Sequence, residues 1–222
     1  MTEYQKIETL YRFNAETHLY DPVFYNPTVE YLKDLPWIAS EKIDGTNIRV
    51  HYDGHRVSWS GRTDSSDLPK EVEALLQSTF GESEVTFEQQ FGDKDVILFM
   101  ECYGGKIQGG AYGGSERLIG FDVMVGGIYL DKFAIAPIFS LFGVETVTFF
   151  MIPNLQTGID WVAGRGALPS PHCEKGRTPV EGLVCVPQAR LYDHMGRRIA
   201  VKIKARDLRK LAPAPGEGKA KP

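Results

Sequence analysis

Two hairpin signatures constrain this chain most. Asn47 to Tyr52 alternates in the manner of a strand, Asp53-Gly54 is a hairpin turn, and Arg56 to Ser60 returns. Leu118 to Val125, Gly126-Gly127 and Ile128 to Asp131 repeat the arrangement. A period of two sends successive side chains to opposite faces, and glycine supplies the positive φ of a tight hairpin. Further strands are expected at Tyr4 to Phe13, Val96 to Glu101, Val144 to Ile152, Gly182 to Pro187 and Ile199 to Lys204. Helical patterns are fewer. They cover Thr28 to Leu35, Phe133 to Phe142, Gln156 to Ala163, and Asp67 to Phe80, with Asp67 as cap and Pro69 in the first turn. The pattern predicts an α+β fold with mostly antiparallel sheets.

At 42% hydrophobic and 24% charged residues the chain has a globular composition, which excludes disorder over most of it and any fibrous repeat. No run of roughly 18 apolar residues occurs, so no membrane span is expected. The start, Met-Thr-Glu-Tyr-Gln-Lys, lacks the apolar stretch of a signal peptide. Cys102, Cys173 and Cys185 are too scattered for a disulfide framework or a zinc site. A reduced, cytoplasmic protein is expected. The net charge is −4, but it is unevenly spread. Arg197 to Lys210 holds seven cations against Asp207 alone, a net of +6. Such a run suits phosphates or a nucleic-acid backbone, and equally a solvated basic strand and helix end.

The strongest local motif is Lys42-Ile43-Asp44-Gly45. A Lys-x-Asp-Gly tetrapeptide arises by chance in about one chain in 20 of this length. Alone it reads as a surface turn. Its chemical sense is a lysine nucleophile at a strand end, next to a glycine that lets backbone approach a ligand. A lysine attacks only as the neutral amine, so nearby cations or desolvation must favour that form. Lys202, Lys204 and a metal are the candidate cations. The motif also has company: Gly61-Arg62-Thr63, Phe99-Met100-Glu101 before the glycine-rich stretch Gly104 to Gly114, Ile119-Gly120-Phe121-Asp122, Val180-Glu181-Gly182-Leu183-Val184 and Val201-Lys202-Ile203-Lys204. The five histidines show no metal spacing, and the glycine-rich stretch lacks the Gly-Lys-Ser/Thr end of a P-loop.

This ordered series, from Lys42 to Lys204, resembles the covalent nucleotidyltransferases: ATP-dependent DNA ligases, RNA ligases and mRNA capping enzymes. Within them it is similar to the type 2 RNA ligases. The run Trp37-Ile38-Ala39-Ser40-Glu41-Lys42-Ile43-Asp44-Gly45-Thr46-Asn47, the Arg62-Thr63 pair and Gly104-Gly105-Lys106-Ile107-Gln108-Gly109 carry that likeness. Asp44 departs from it, standing where many type 2 RNA ligases have histidine and where DNA ligases and capping enzymes have aspartate. The chain ends 18 residues after Lys204, so a second C-terminal domain is not expected within it. The organisation implied is one nucleotidyltransferase domain over residues 1–211 and a disordered tail over 212–222. The fold implied has two antiparallel sheets flanked by helices, with the nucleotide pocket between them.

The resemblance also implies roles. Lys42 would attack the α-phosphate of ATP and hold AMP covalently. Glu41 and Ile43 would line the adenine pocket, and Asn47 and Arg62 would orient phosphate. Glu101 would accept hydrogen bonds from the ribose, although on position alone it reads equally as a strand-end carboxylate facing water. Phe121 would stack on adenine, where a strand phenylalanine is otherwise core. Glu181 would bind Mg²⁺ or Mn²⁺, with Asp44 assisting near the lysine. Lys202 and Lys204 share one strand face and would neutralise phosphate charge. Their apolar neighbours Val201, Ile203 and Ala205 fit a core-facing side. The activity implied is ATP-dependent joining of RNA 5′-phosphate and 3′-hydroxyl ends. Such a compact ligase would take end-healing or RNA binding from a partner. A DNA ligase, a capping guanylyltransferase and a nucleotide- or RNA-binding module without catalysis are the alternatives.

Overall fold

The computed structural model describes residues 2–165, 168–174, 176 and 178–213. Its strands are Glu8–Thr9 (β1), Tyr11–Asn14 (β2), Leu19–Phe24 (β3), Trp37–Glu41 (β4), Thr46–Tyr52 (β5), Val57–Ser60 (β6), Val96–Tyr103 (β7), Arg117–Val125 (β8), Ile128–Tyr129 (β9), Glu145–Thr146 (β10), Phe149–Ile152 (β11), Gly182–Pro187 (β12) and Val201–Lys204 (β13). Its α-helices are Pro27–Tyr31 (α1), Lys70–Phe80 (α2), Glu84–Phe91 (α3), Ala136–Ser140 (α4), Leu155–Arg165 (α5) and Ala205–Leu208 (α6). The fold is mixed α+β with several sheets, mostly antiparallel, and the described residues divide into two compact units.

The first unit takes its residues from 1–4, 43–148 and 170–178. Its sheet runs β10-β8-β7-β5-β6, with β9 beside β8. Only β10 joins in parallel. Both expected hairpins form. At the β5–β6 turn the Asp53 carboxylate accepts the His55 and Arg56 N–H groups, and Gly54 takes φ 97°. Ile48, Val50 and Tyr52 alternate into the core, where Tyr52 stacks on Phe87 of α3 at 5.2 Å. Phe142 closes that layer, 4.6 Å from Phe87 and 5.2 Å from Phe80 of α2.

Helix α2 buries Val72, Leu76 and Phe80 as its periodicity requires, but it begins at Lys70. Pro69 stands at the cap rather than in the first turn, and no side chain caps the helix there. Asp67 is therefore not its cap. The expected helix Phe133 to Phe142 is broken into a 3₁₀ turn, Lys132–Ala134, and α4. Pro137 near the start of α4 has no N–H to donate back across the break. Helix α3 was not expected, because its polar sequence buries only Phe87.

The second unit takes its residues from 5–42, 149–169 and 179–222. Residues 214–222, most of the expected tail, lie outside the described residues. Its main sheet runs β1-β13-β12-β4-β11, and β2–β3 form a separate ribbon. The expected single strand Tyr4 to Phe13 is thus β1 in one sheet and β2 in another. Val144 to Ile152 likewise yields β10 in the first unit and β11 in the second. Trp37, Ala39, Leu183, Cys185, Val201 and Ile203 alternate onto one buried face. Leu155 and Val162 of α5 cover it. Gly158 permits that closeness, since an added Cβ would lie 3.0 Å from Ile152 and 3.1 Å from Ile203. The three cysteines are buried thiols outside any disulfide, and burial pushes the Cys102 and Cys185 thiols up to about 12.

Gly120 of β8 lies against the Phe139 ring, 2.5 Å from where a Cβ would stand. Gly120→Ala should cost about 1–3 kcal/mol of stability in urea denaturation. An unchanged midpoint would show that the ring gives way freely.

Candidate active site

Register in the second unit gathers three lysines. Glu41 pairs with Leu183 and Ser40 with Val184, and Lys42 continues the ladder by donating its N–H to the Gly182 carbonyl at 2.9 Å. On the other side Gly182 pairs with Lys204 and Val184 with Lys202. Residues paired across antiparallel strands share a face, so Lys202 and Lys204 stand opposite the buried Val201 and Ile203. Gly182 lies between the Lys42 and Lys204 backbones. A Cβ there would run into the Ile203 carbonyl oxygen. The Lys42 Nζ donates to Glu181 Oε2 at 2.7 Å, and both side chains are partly exposed. Alternation starts the Glu41 side chain on the face opposite Lys42.

Lys204 is buried, with its Nζ 3.8 Å from Asp207 Oδ2. Burial lowers the Lys204 pKa below its ordinary range; Asp207 opposes this, Arg206 adds to it, Glu181 opposes it and Lys42 adds again. Burial also lowers Lys202, reinforced by Lys204 and Lys42 and opposed by Glu8 and Asp207. The cluster therefore stores positive charge at an electrostatic cost that an anionic ligand would relieve.

The first unit holds the other candidates: Ile43, Asp44, Asn47, Arg62, Glu101 and Phe121. Asn47 pairs with Glu101, which pairs with Ile119, so these three share a face. The Asn47 Oδ1 is buried and has no protein partner among the described residues. Gly45 is required here, because a Cβ would meet the Cys102 carbonyl and the Glu101 Cγ. Two side chains fix the same stretch. The Asp44 N–H donates to the Tyr112 hydroxyl at 3.2 Å, and Gln108 Nε2 donates to the Gly45 carbonyl at 3.0 Å. Gln108 does so at φ 49°, an uncommon backbone for a residue other than glycine. Ile43 is buried, and Asp44 is exposed.

Arg62 is exposed after β6, and among the described residues its guanidinium has no recorded partner. The buried Arg49 holds that loop: it donates to the Gly61 carbonyl, the Ser60 hydroxyl and Asp64, each at 2.8 Å. Phe121 is the extra residue of a bulge, since Phe99 pairs with Asp122 and Met100 with Gly120. Its ring meets Tyr4 edge to face at 5.1 Å and packs with Ile97, Phe99, Met124 and Tyr129. Asp122 beside it is fully buried and satisfied by Lys132 at 2.8 Å and Tyr4 at 2.9 Å. Arg49 and Tyr112 were not among the expected residues. The signal for Arg49 was a cation amid apolar neighbours in an alternating strand.

A family model described as RNA ligase matches residues 35–204. The chain belongs to the RNA ligase family. The matched span contains every motif residue, from Glu41 to Lys204. Solved structures agree in fold. An apo mutant form of Naegleria gruberi RNA ligase superposes with a TM-score of 0.60 at 18% identity, over 83% of this chain and 53% of that one. The same ligase with PPi gives 0.59 at 17%, over 91% and 60%. A mutant with ATP and Mn gives 0.60 at 15%, over 91% and 60%. The chain thus spans 53–60% of the length of those structures. No curated protein matches it.

Two further features of this RNA ligase family member bear on its ligands. The basic run Arg197 to Lys210 is not one patch. Arg197 is tied to Asp193 at 2.8 Å, Arg198 and Lys204 are buried, and Arg206, Arg209 and Lys210 are exposed. The described residues contain no group of three or more His, Cys, Asp or Glu that could hold a metal unaided, and no helix long and apolar enough to cross a membrane. A single carboxylate such as Glu181 still fits Mg²⁺ or Mn²⁺, hard ions that keep several waters and share their coordination with substrate phosphates.

The lowered Lys202 pKa has a measurable consequence. The folded chain gives up this proton at a lower pH than the unfolded chain, whose value is the ordinary 10.5. Between the two values the unfolded state binds more protons, so stability rises with pH. The stability of the wild type relative to Lys202→Met should therefore increase as pH rises from neutrality towards 10.5. A flat difference in urea denaturation would show that Lys202 is not desolvated in the fold.

Proposed function

We propose that this chain is an ATP-dependent RNA ligase that joins 5′-phosphate and 3′-hydroxyl ends through a lysyl-AMP intermediate. The observation that carries the reading is Lys42 in contact with Glu181, in a strand row with Lys202 and Lys204. In the first step the Lys42 nitrogen, free of its proton and of Glu181, attacks the α-phosphorus of ATP. An N–P bond forms, the bond to the bridging oxygen breaks, and pyrophosphate leaves. Lys202 and Lys204 balance charge on the α-phosphate as it develops. In the second step an RNA 5′-phosphate oxygen displaces Lys42 and takes the AMP. In the third a 3′-hydroxyl displaces AMP and completes the phosphodiester.

Glu181 would hold Mg²⁺ or Mn²⁺, which supplies charge neutralisation at the phosphates when bound. The carboxylate pairs with the Lys42 ammonium in this structure and would serve the cation when one is bound. Glu101 presents an acceptor to ribose hydroxyls. The buried, unsatisfied Asn47 Oδ1 beside it supports a ligand donor at this place, because such an atom is costly unless something pairs with it. Arg62 is available to phosphate. Phe121 is partly buried against its aromatic cluster and would offer its remaining surface to adenine, while Glu41 and Ile43 flank the nucleophile. Asp44, with its N–H held by Tyr112, assists near Lys42.

Joining assays separate the alternatives. Nicked RNA, nicked DNA and single-stranded 5′-phosphorylated RNA are each offered with ATP or GTP. Sealing of RNA with ATP is expected. Lys42→Ala should abolish it yet still seal RNA that already carries a 5′-adenylate, because Lys42 serves only to load AMP. Sealing of 5′-phosphate RNA by Lys42→Ala would refute the mechanism. DNA-only sealing would mark a DNA ligase, nucleotide transfer from GTP alone a capping enzyme, and ATP binding without transfer a module lacking catalysis.

A further inference from the structure

The ribbon β2–β3 takes no part in the chemistry above, yet it exposes aromatic surface. Phe13 and Tyr20 are cross-strand partners with rings 5.2 Å apart, edge to face. His18, at φ 55° in the turn, lies 6.3 Å from Phe13. The inner pair, Tyr11 and Phe24 at 5.6 Å, packs against the core of the second unit. Phe13 does not, and it is 48% exposed.

The C-terminal turn brings cations to the same ribbon. The Tyr20 N–H donates to the Lys210 carbonyl at 2.9 Å, and the Ala212 N–H donates to the Tyr20 carbonyl at 2.8 Å. Tyr20 also bridges Leu211 in parallel. The Lys210 backbone is thus bonded to Tyr20, Arg206 is near enough to act electrostatically on the Tyr20 hydroxyl, and Arg12 is exposed on β2 itself. Of the acids here, Asp207 is buried against Lys204 and Arg206, Asp21 faces Arg12 in strand register only, and Glu16 lies in the turn. Helix α6, which carries Arg206, starts at the residue after Lys204.

We infer that this rim is a docking platform for single-stranded RNA, with a base stacked on Phe13 and phosphates held by Arg206 and Lys210. The inference rests on the RNA ligase reading. An aromatic face with flanking cations is the combination that holds unpaired bases, since every base offers a π-face and every linkage a negative charge. The position, one short helix from Lys204, suits the strand whose end is to be sealed.

Anisotropy of a fluorescein-labelled single-stranded oligouridylate, titrated with the full chain, tests this. Phe13→Ala should weaken binding about tenfold. Phe13→Leu should do the same and Phe13→Trp should retain binding, because the platform needs a ring and not only apolar area. Replacing Arg206 and Lys210 together by glutamine should flatten the dependence of log affinity on log salt by about 1.4. Thermal melting establishes that each variant is folded. Wild-type affinity in Phe13→Ala and Phe13→Leu, or an unchanged salt slope, would overturn the inference while leaving the ligase reading intact. So would loss of a dimer in Phe13→Ala with RNA binding kept, which would make the ribbon a contact between copies. A wild type that does not bind the oligouridylate would overturn the inference as well, and the joining assays judge the ligase reading separately.

Discussion

The contact between Lys42 and Glu181 depends on strand register, and the placement of Lys202 and Lys204 depends on the same register. Three neighbouring strands, β4, β12 and β13, place the backbones of Lys42, Gly182 and Lys204 side by side. A one-residue slip of β13 would bury Lys202 and Lys204 in the core and expose Val201 and Ile203. The core residues of α5 and the sheet therefore do more than stabilise the unit. They lock the register that faces both lysines away from the core. Gly182 completes the arrangement, because its missing side chain lets the strands close where two lysine backbones flank it.

Electrostatics then oppose packing. Gathering Lys42, Lys202 and Lys204 lowers the tendency of the latter two to hold their protons, and burial contributes most. Glu181, Asp207 and Glu8 offset part of this. A site of this kind is costly when empty and relieved by polyanions, which is the expected behaviour of a phosphate-handling centre. In the first unit the comparable tension is the buried Asn47 oxygen without a partner, held beside Glu101 by unbroken strand pairing. Asp44 and Gly45 are fixed there by Tyr112 and Gln108 of the glycine-rich stretch. That gives this stretch a local structural role that a P-loop reading would have missed.

Much of this was legible in the sequence, for physical reasons that differ by element. The alternation of Val201-Lys202-Ile203-Lys204 set which face met the core, and the glycine turns set both hairpins. The family was legible from the order of short motifs. Other features depend on contacts distant in sequence. Arg49 stands among apolar neighbours in the sequence, but its acceptors at Ser60, Gly61 and Asp64 are set by the fold of the following loop. Helix α3 was hidden by its polar sequence, and β10 and β11 by an apolar run that gives no sign of where it changes sheets. The basic run misled because linear charge does not record that Arg198 and Lys204 are buried and Arg197 is paired.

The central claim is that Lys42 is the atom-level acceptor of AMP. The most direct measurement is peptide mass spectrometry of protein stripped with pyrophosphate and then incubated with ATP and Mg²⁺. The account predicts one added AMP, carried by the peptide containing Lys42 through an acid-labile phosphorus–nitrogen bond. AMP on any other residue, or none on the folded chain, would contradict it.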